Sequence, residues 1–385
     1  MAELNLAVKL SLPPGPRQIL RVSRDPDVPF TERGHTALIL SGEFDPLVSS
    51  DDFGALLSFD QSHDKVVRLP QQFDYLQTGD IVRLHPEARI MRAIYRANSS
   101  HNVLFITERC NSRCVMCSQP PRDVDDGYLI EDLLKAIPLM DKATRFLCIT
   151  GGEPTLNMEG LLKIIREVKV RLPGTSLHML SNGRTFQYLH QAKAIASLSH
   201  SDLTIGIPLY SDLPSQHDFV VQAKGAFDET ILGLMNLARH QQRVEIRVVI
   251  HKLTVDRLPE VARFIGRNLP FASHVALMGL EPTGFGKTNL AGLRADPWDY
   301  REQLTETVHR LVDDKINVSI YNHPLCLLPS ELWKYARKSI SDWKNVYLKE
   351  CQKCEVRDQC CGFFTSAKNF HSNFVKSISR KIEFK

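Results

Sequence analysis

"NVLFITERCNSRCVMCSQPP", residues 102–121, runs from an apolar strand-like segment straight into three cysteines within eight residues, then a double proline. The first part, 102–108, has the length and apolar character of a buried strand. The second part raises a chemical question: what needs Cys110, Cys114 and Cys117 so close together, with no fourth ligand in reach? Structural zinc wants four ligands, usually as C-x2-C pairs contributed from two places. Here the spacing is C-x3-C-x2-C, and no nearby Cys or His closes such a site. A cubane iron–sulfur cluster accepts soft thiolates on a longer edge. With three protein ligands on four irons, one iron stays open to a small molecule. Three core thiols are the bland alternative, but Asn111, Ser112 and Arg113 between them make a poor buried segment.

The strand–loop–helix rhythm repeats downstream. "RFLCIT" (145–150) precedes "GLLKIIREVKVRL", "SLHML" (176–180) precedes "YLHQAKAIASL", and "DLTIGIPLY" (202–210) precedes "AFDETILGLMNLARH". "VEIRVVIHK" (244–252) and "HVALMGL" (274–280) each lead into a further helical pattern. With the first pair, "NVLFITE" and "YLIEDLLKAIPLM" (128–140), six β–α units result, and the spacing predicts an α/β fold: a parallel sheet, open or curled into a partial TIM-like barrel of (β/α)6 type, over 99–318. Strands buried on both faces read as continuous apolar runs. Residues 1–98, with "HTALILSG", "HDKVVRLP" and "GDIVRLHP" between Pro, Gly and Asp breakers, form a β-rich N-terminal domain. Residues 319–385 form a C-terminal extension with five of the nine cysteines.

Composition limits the classes. The 385 residues are 43% hydrophobic and 24% charged, the profile of a globular chain with real cores. No apolar run reaches a membrane span, and the start lacks a basic leader, so no membrane or secretory role is expected and the cytoplasm is. In a reducing compartment clustered cysteines are more often metal ligands than disulfides. The net charge of +4 matches the excess carried by Lys368, Lys376, Arg380, Lys381 and Lys385 over Glu383 in the tail, which reads as a solvated end. Nucleic acid is an unlikely partner.

In β/α folds function collects on loops at the C-terminal ends of the strands. The loop after the second strand is "GGEPTL" (151–156) and after the third "SNGR" (181–184), so three unusual loops share one rim with the cysteines. "EPTGFGKT" (281–288) is not a P-loop, because Glu281 stands where that motif needs Gly. No HExxH pair occurs among the fourteen histidines, and His217 reads as a loop residue rather than a base. Cys148, inside a strand, reads as a small core residue.

Together, the C-x3-C-x2-C loop after strand one and GGEP after strand two resemble the radical S-adenosylmethionine superfamily. The resemblance implies that Cys110, Cys114 and Cys117 ligate a [4Fe–4S] cluster. It also implies that S-adenosylmethionine (SAM) chelates the open iron and is cleaved to a 5′-deoxyadenosyl radical. Gly151 and Gly152 would let backbone approach the ligand, main-chain carbonyls and Glu153 would suit its amino group, and Pro154 would stiffen the turn. Ser181 and Asn182 match the family's strand-three turn, and Ser211, after Tyr210, falls where related enzymes contact ribose. Arg247, inside a strand, must face a polar cavity or a partner. Met116 stands where that superfamily commonly has an aromatic residue, and its thioether suits packing on adenine.

"CQKCEVRDQCC" (351–361) resembles the SPASM and twitch extensions, which carry auxiliary clusters. One auxiliary [4Fe–4S] cluster on Cys326, Cys351, Cys354 and Cys360 is implied, with Cys361 as a substitute or a free thiol. The whole chain resembles the C-type maturase of the His-Xaa-Ser repeat peptide system, on "TERCNSRCVMCSQPP", "IGIPLYSD", "ISDWKN" (340–345) and "CQKCEVRDQCCGFF". That implies a ribosomally made peptide substrate, a second radical maturase and a one-electron donor such as flavodoxin or ferredoxin. The same chemistry on a nucleotide, sugar or cofactor precursor is the alternative. A non-catalytic zinc-binding protein is the remote one.

Overall fold

The computed structural model describes residues 8–9, 15–40, 52–60, 66–338, 346–367 and 370–379. "ISDWKN" and the tail's basic residues other than Lys376 lie outside the described residues. The chain forms two compact units: 1–106, 126–149 and 159–177 in one, and 107–125, 150–158 and 178–385 in the other.

The first unit contains strands β1 (Val8–Lys9), β2 (Gln18–Ser23), β3 (Thr36–Ile39), β4 (Ala55–Ser58), β5 (Val66–Arg68), β6 (Ile81–His85) and β7 (Ile90–Tyr95), with a short helix α1 (Phe30–Arg33). They form one seven-stranded sheet in the order β1-β7-β6-β2-β3-β4-β5. β2 to β5 pair in parallel, while β6 and β7 pair antiparallel. The apolar residues predicted to be strand close over Leu20, Val22, Leu57, Phe73, Val82 and Met91. Helix α2 (Tyr128–Ala136) carries Asp132, fully buried, which accepts from Arg17 Nε at 3.3 Å and Arg83 Nη1 at 3.1 Å. A buried carboxylate needs such partners to offset its lost hydration.

The second sheet contains β8 (Asn102–Phe105), β9 (Phe146–Thr150), β10 (Ser176–Leu180), β11 (Leu203–Pro208), β12 (Arg243–Ile250), β13 (His274–Gly279), β14 (Val318–Tyr321) and β15 (Ala336–Arg337). Its order runs strictly in sequence from β15 to β8, with β11 through β15 pairing in parallel. Helices α3 (Met158–Arg171), α4 (Leu189–Ser197), α6 (Ala226–Arg239), α7 (Leu258–Asn268) and α10 (Arg301–Asp313) are the predicted crossovers. This is the expected α/β architecture, a curled half-barrel of parallel strands.

Three features differ from the sequence reading. The sheet continues two strands beyond the sixth unit, because "NVSIY" after α10 is another apolar run that can pair with β13. β9 and β10 alternate between buried and half-buried positions instead of being buried throughout. Helices cover one face of a half-barrel strand, and the other looks into a partly open interior. Cys148 lies on that half-buried face of β9, so it is not a core residue. His217 is not in a loop: residues Pro214–Val221 form helix α5, and His217 is 1% exposed within it. Pro214 at the first turn supplies the start signal that the polar "SDLPSQ" hid.

Candidate active site

The cysteine loop and the GGEP turn are bound backbone to backbone. Gly152 N donates to Thr107 O at 2.7 Å, and Glu153 N donates to Arg109 O at 2.8 Å. A Cβ on Gly151 would sit 2.6 Å from Thr107 O, and one on Gly152 would sit 2.2 Å from Arg109 O. The glycines are therefore required by the cysteine loop's own backbone. On its other side the loop meets α5, with Arg113 N and Val115 N donating to Val221 O and Val220 O at 3.1 and 2.9 Å. It also meets α8 (Gly284–Thr288), where Phe285 N donates to Cys117 O at 2.8 Å. Gly284 holds φ +52°, and a Cβ there would lie 2.6 Å from the Cys117 and Ser118 carbonyls.

Glu153 joins the second loop to the third. Its side chain is 1% exposed. Oε1 accepts from Thr155 N (3.1 Å), the Thr155 hydroxyl (2.7 Å) and the Ser181 hydroxyl (2.8 Å), while Oε2 accepts from Asn182 N (2.6 Å). Burial raises its pKa, and these four donors act in the opposite direction. Glu153 is thus first a tie between turns, with only Oε2 left lightly used. Pro154 starts the 3₁₀ turn Pro154–Asn157 that follows, and it and Thr155 are buried. Asn182 Nδ2 donates to Asn111 Oδ1 at 2.6 Å, which fastens the third loop to the first.

Arg184 was absent from the sequence reading although "SNGR" contains it. Its Nη1 donates to Asn111 O and to the Ser112 hydroxyl, and its Nε bonds Glu229 on α6. A turn arginine gives no local signal, because its partners are 45 to 73 residues away.

The thiols of Cys110, Cys114 and Cys117 gather under these loops. Burial pushes Cys110 up to about 11, with Glu153 and Cys117 adding to the effect. Cys114 is pushed up to about 12 by burial and then by Cys117 and Cys110. Cys117 is raised by burial as well. Three mutually repelling sulfurs in such a place need a compensating cation to ionise. Met116 is 6% exposed and packs with Tyr210, Val220, Val221, Ala226 and Leu293. Its thioether fills this core cluster.

Ser211 is fully buried. Its hydroxyl donates to Gln216 Oε1 at 2.8 Å and accepts from Leu213 N at 3.0 Å, so it serves the turn after β11. His217 Nδ1 accepts from Tyr210 N at 3.3 Å, and burial lowers its pKa to about 4. A neutral imidazole that caps a backbone N–H is a structural group. Arg247 has found its partner: Nη1 donates to Glu245 Oε1 at 2.7 Å, and Nη2 lies 3.1 Å from Met278 Sδ. Glu245 Oε2 is 2.7 Å from His274 Nδ1, whose Nε2 is 3.0 Å from the Ser319 hydroxyl. Burial raises Glu245, but His178, His274 and Arg247 outweigh that and hold it well below the usual carboxylate range.

Cys326, Cys351, Cys354 and Cys360 line one small cavity with Tyr347, Arg357 and Lys376. Cys351 and Cys354 share one short 3₁₀ turn, Cys326 and Cys360 belong to two others, and Cys360 Sγ accepts from Leu325 N and Gly362 N, each at 3.4 Å. A Cys361 contact and these two N–H groups lower Cys360 to about 6, whereas burial drives Cys326 up to about 11. Cys361 faces a different, larger cavity.

Among the described residues no group of three or more His, Cys, Asp or Glu is arranged to hold one metal ion. A four-iron cluster spans a wider donor set of thiols, and both sulfur groups supply that chemistry. No helix among the described residues is long and apolar enough to cross a membrane.

Residues 104–265 match the model of the Radical SAM superfamily, and that match implies a [4Fe–4S] cluster and SAM. The chain is 29% identical over 175 residues to a tungsten-containing aldehyde ferredoxin oxidoreductase cofactor-modifying protein of Pyrococcus furiosus, covering 42% of this chain and 47% of that one. It is 28% identical to Fe-coproporphyrin III synthase of Methanosarcina barkeri over 40% of this chain and 38% of that one. To GTP 3',8-cyclase of Petrotoga mobilis it is 26% identical over 46% and 55%. It thus spans about half the length of these relatives. Among solved structures, Streptococcus suis SuiB bound to S-adenosylmethionine matches at TM-score 0.47 and 14% identity, over 58% of this chain and 51% of SuiB.

Proposed function

We propose that the protein is a radical SAM enzyme that modifies a ribosomally made peptide of the His-Xaa-Ser type in the cytoplasm. One observation carries the reading: the three-cysteine loop, the GGEP turn and the strand-three turn are locked together through Glu153, Asn182 and Arg184. Such a lock holds the three thiols of Cys110, Cys114 and Cys117 in place with one cluster position unfilled by protein. When bound there, the cluster and SAM supply one-electron cleavage of the sulfonium and abstraction of a substrate hydrogen atom.

The chain's own residues prepare that chemistry. Carbonyls of Gly151 and Gly152 and the lightly used Oε2 of Glu153 offer acceptors to the SAM amino group, with Pro154 fixing the turn. Asn182 and the guanidinium of Arg247 supply donors, while Ser181 and Ser211 hold their turns in register. The second group, Cys326, Cys351, Cys354 and Cys360, holds one auxiliary [4Fe–4S] cluster. A flavodoxin or ferredoxin delivers the electron, and a second radical maturase works beside this one.

The names of the three relatives favour a second reading, chemistry on a cofactor or nucleotide. Anaerobically reconstituted protein, mixed with SAM, reductant and either a His-Xaa-Ser peptide, GTP or an iron porphyrin, separates the two. A mass change on the peptide alone supports our reading, and one on a small molecule alone overturns it.

A further inference from the structure

A cavity of about 110 Å³ lies at the C-terminal ends of β12, β13 and β14. Ile250, Leu280, Leu290, Leu327, Phe363 and Phe370 give it an apolar wall. Leu280 also packs against the cluster that holds Met116 and Cys114, so the cavity shares a wall with the three-cysteine loop. Helix α8 borders the same loop, with Asn289 just beyond it donating to Val115 O at 2.8 Å.

Several polar groups on the cavity's rim already have partners, and the exposed Arg294 donates from Nη2 to His371 O at 3.4 Å. The Tyr300 hydroxyl is 2.7 Å from His323 Nε2, and Asn322 Nδ2 donates to Gly279 O at 3.1 Å. Asp296 accepts from Trp298 N at 3.0 Å. A sugar would leave many of its polar groups unmatched against this apolar wall. By volume the space suits one side chain: an engineered cavity of about 150 Å³ with similar lining stays dry and takes benzene. Phe370, His371 and Ser372 complete the lining, in a segment held where Phe374 stacks on Trp298 at 4.7 Å and 9°.

We infer that this cavity receives one large apolar side chain, aliphatic or aromatic, of the peptide substrate and so selects which stretch of the peptide lies beside the cysteine loop. The inference rests on the peptide-modifying reading above. It predicts saturable binding of N-acetyl-leucinamide and N-acetyl-phenylalaninamide to the full-length protein by saturation-transfer NMR, with no binding of N-acetyl-lysinamide. Leu290→Trp, which fills the space from a half-buried position, weakens both by about tenfold or more. Phe370→Ala, on the exposed wall, shifts preference toward the larger N-acetyl-naphthylalaninamide. Circular dichroism and thermal melting establish that each variant is folded. Equal binding of the lysine amide, or undiminished binding by folded Leu290→Trp, overturns the assignment. Release of 5′-deoxyadenosine from SAM by the wild type is a separate readout. Its absence alongside intact amide binding overturns the radical reading and leaves the apolar cavity standing.

Discussion

The two cysteine groups are built on opposite principles. Cys110, Cys114 and Cys117 lie within eight residues, and their geometry comes from neighbouring loops that are themselves hydrogen-bonded to strand ends. Cys326, Cys351, Cys354 and Cys360 spread over 35 residues of sequence, lie on or beside short 3₁₀ turns, and line one cavity. The first group has three thiols, which on the proposed reading leaves a position for a small molecule. The second has four, which on that reading close a site completely. A frame of strands suits a site that must stay open and rigid, whereas a site that closes its own coordination supplies its own cross-link.

Substitution should separate the groups most sharply. Cys114→Ala is expected to abolish 5′-deoxyadenosine formation. Cys354→Ala should retain it while losing product, and either variant should drop the iron content from about eight to about four per chain. Equal loss of SAM cleavage in both variants would mean that the groups do not divide the work. Next in size is the lock. Glu153→Ala leaves Asn182 N, Thr155 and Ser181 without their acceptor, a cost on the order of 3 kcal/mol in thermal or denaturant unfolding. Glu153→Gln should recover part of it, since an amide oxygen can still take the Oε1 donors but its NH₂ opposes Asn182 N.

The frame beneath the first group titrates. Because folding holds Glu245 ionised below its ordinary range, its contribution is complete above about pH 4.3 and drains away as the pH falls through its lower folded value. Glu245→Gln should therefore be less stable at neutral pH, and the difference from wild type should shrink on acidification, as read by melting from pH 7 down to pH 3. A constant difference would place the stabilisation elsewhere. The smallest effect belongs to Cys361→Ser. Its thiol lines the other cavity, so iron content should stay unchanged, whereas Cys360→Ser should lose the second cluster.

Much of this was legible in the sequence for a local reason. The β–α rhythm and the C-x3-C-x2-C spacing are written in consecutive residues, so β10 starts and ends where "SLHML" does. Pairings over long separations were not legible. Arg184 reaches Asn111 across 73 residues, and nothing near Gly151 reveals that Thr107 O would meet its Cβ. The neighbours of Met116, from α5, α6 and α9 (Leu290–Leu293), were hidden for the same reason.

Electron–nuclear double resonance on the anaerobically reduced protein, with SAM labelled by ¹⁵N in its amino group and ¹⁷O in its carboxylate, probes the open position itself. The account predicts hyperfine coupling from both labels to the cluster on Cys110, Cys114 and Cys117, persisting in Cys354→Ala. A loaded, reduced cluster that shows neither coupling would contradict it.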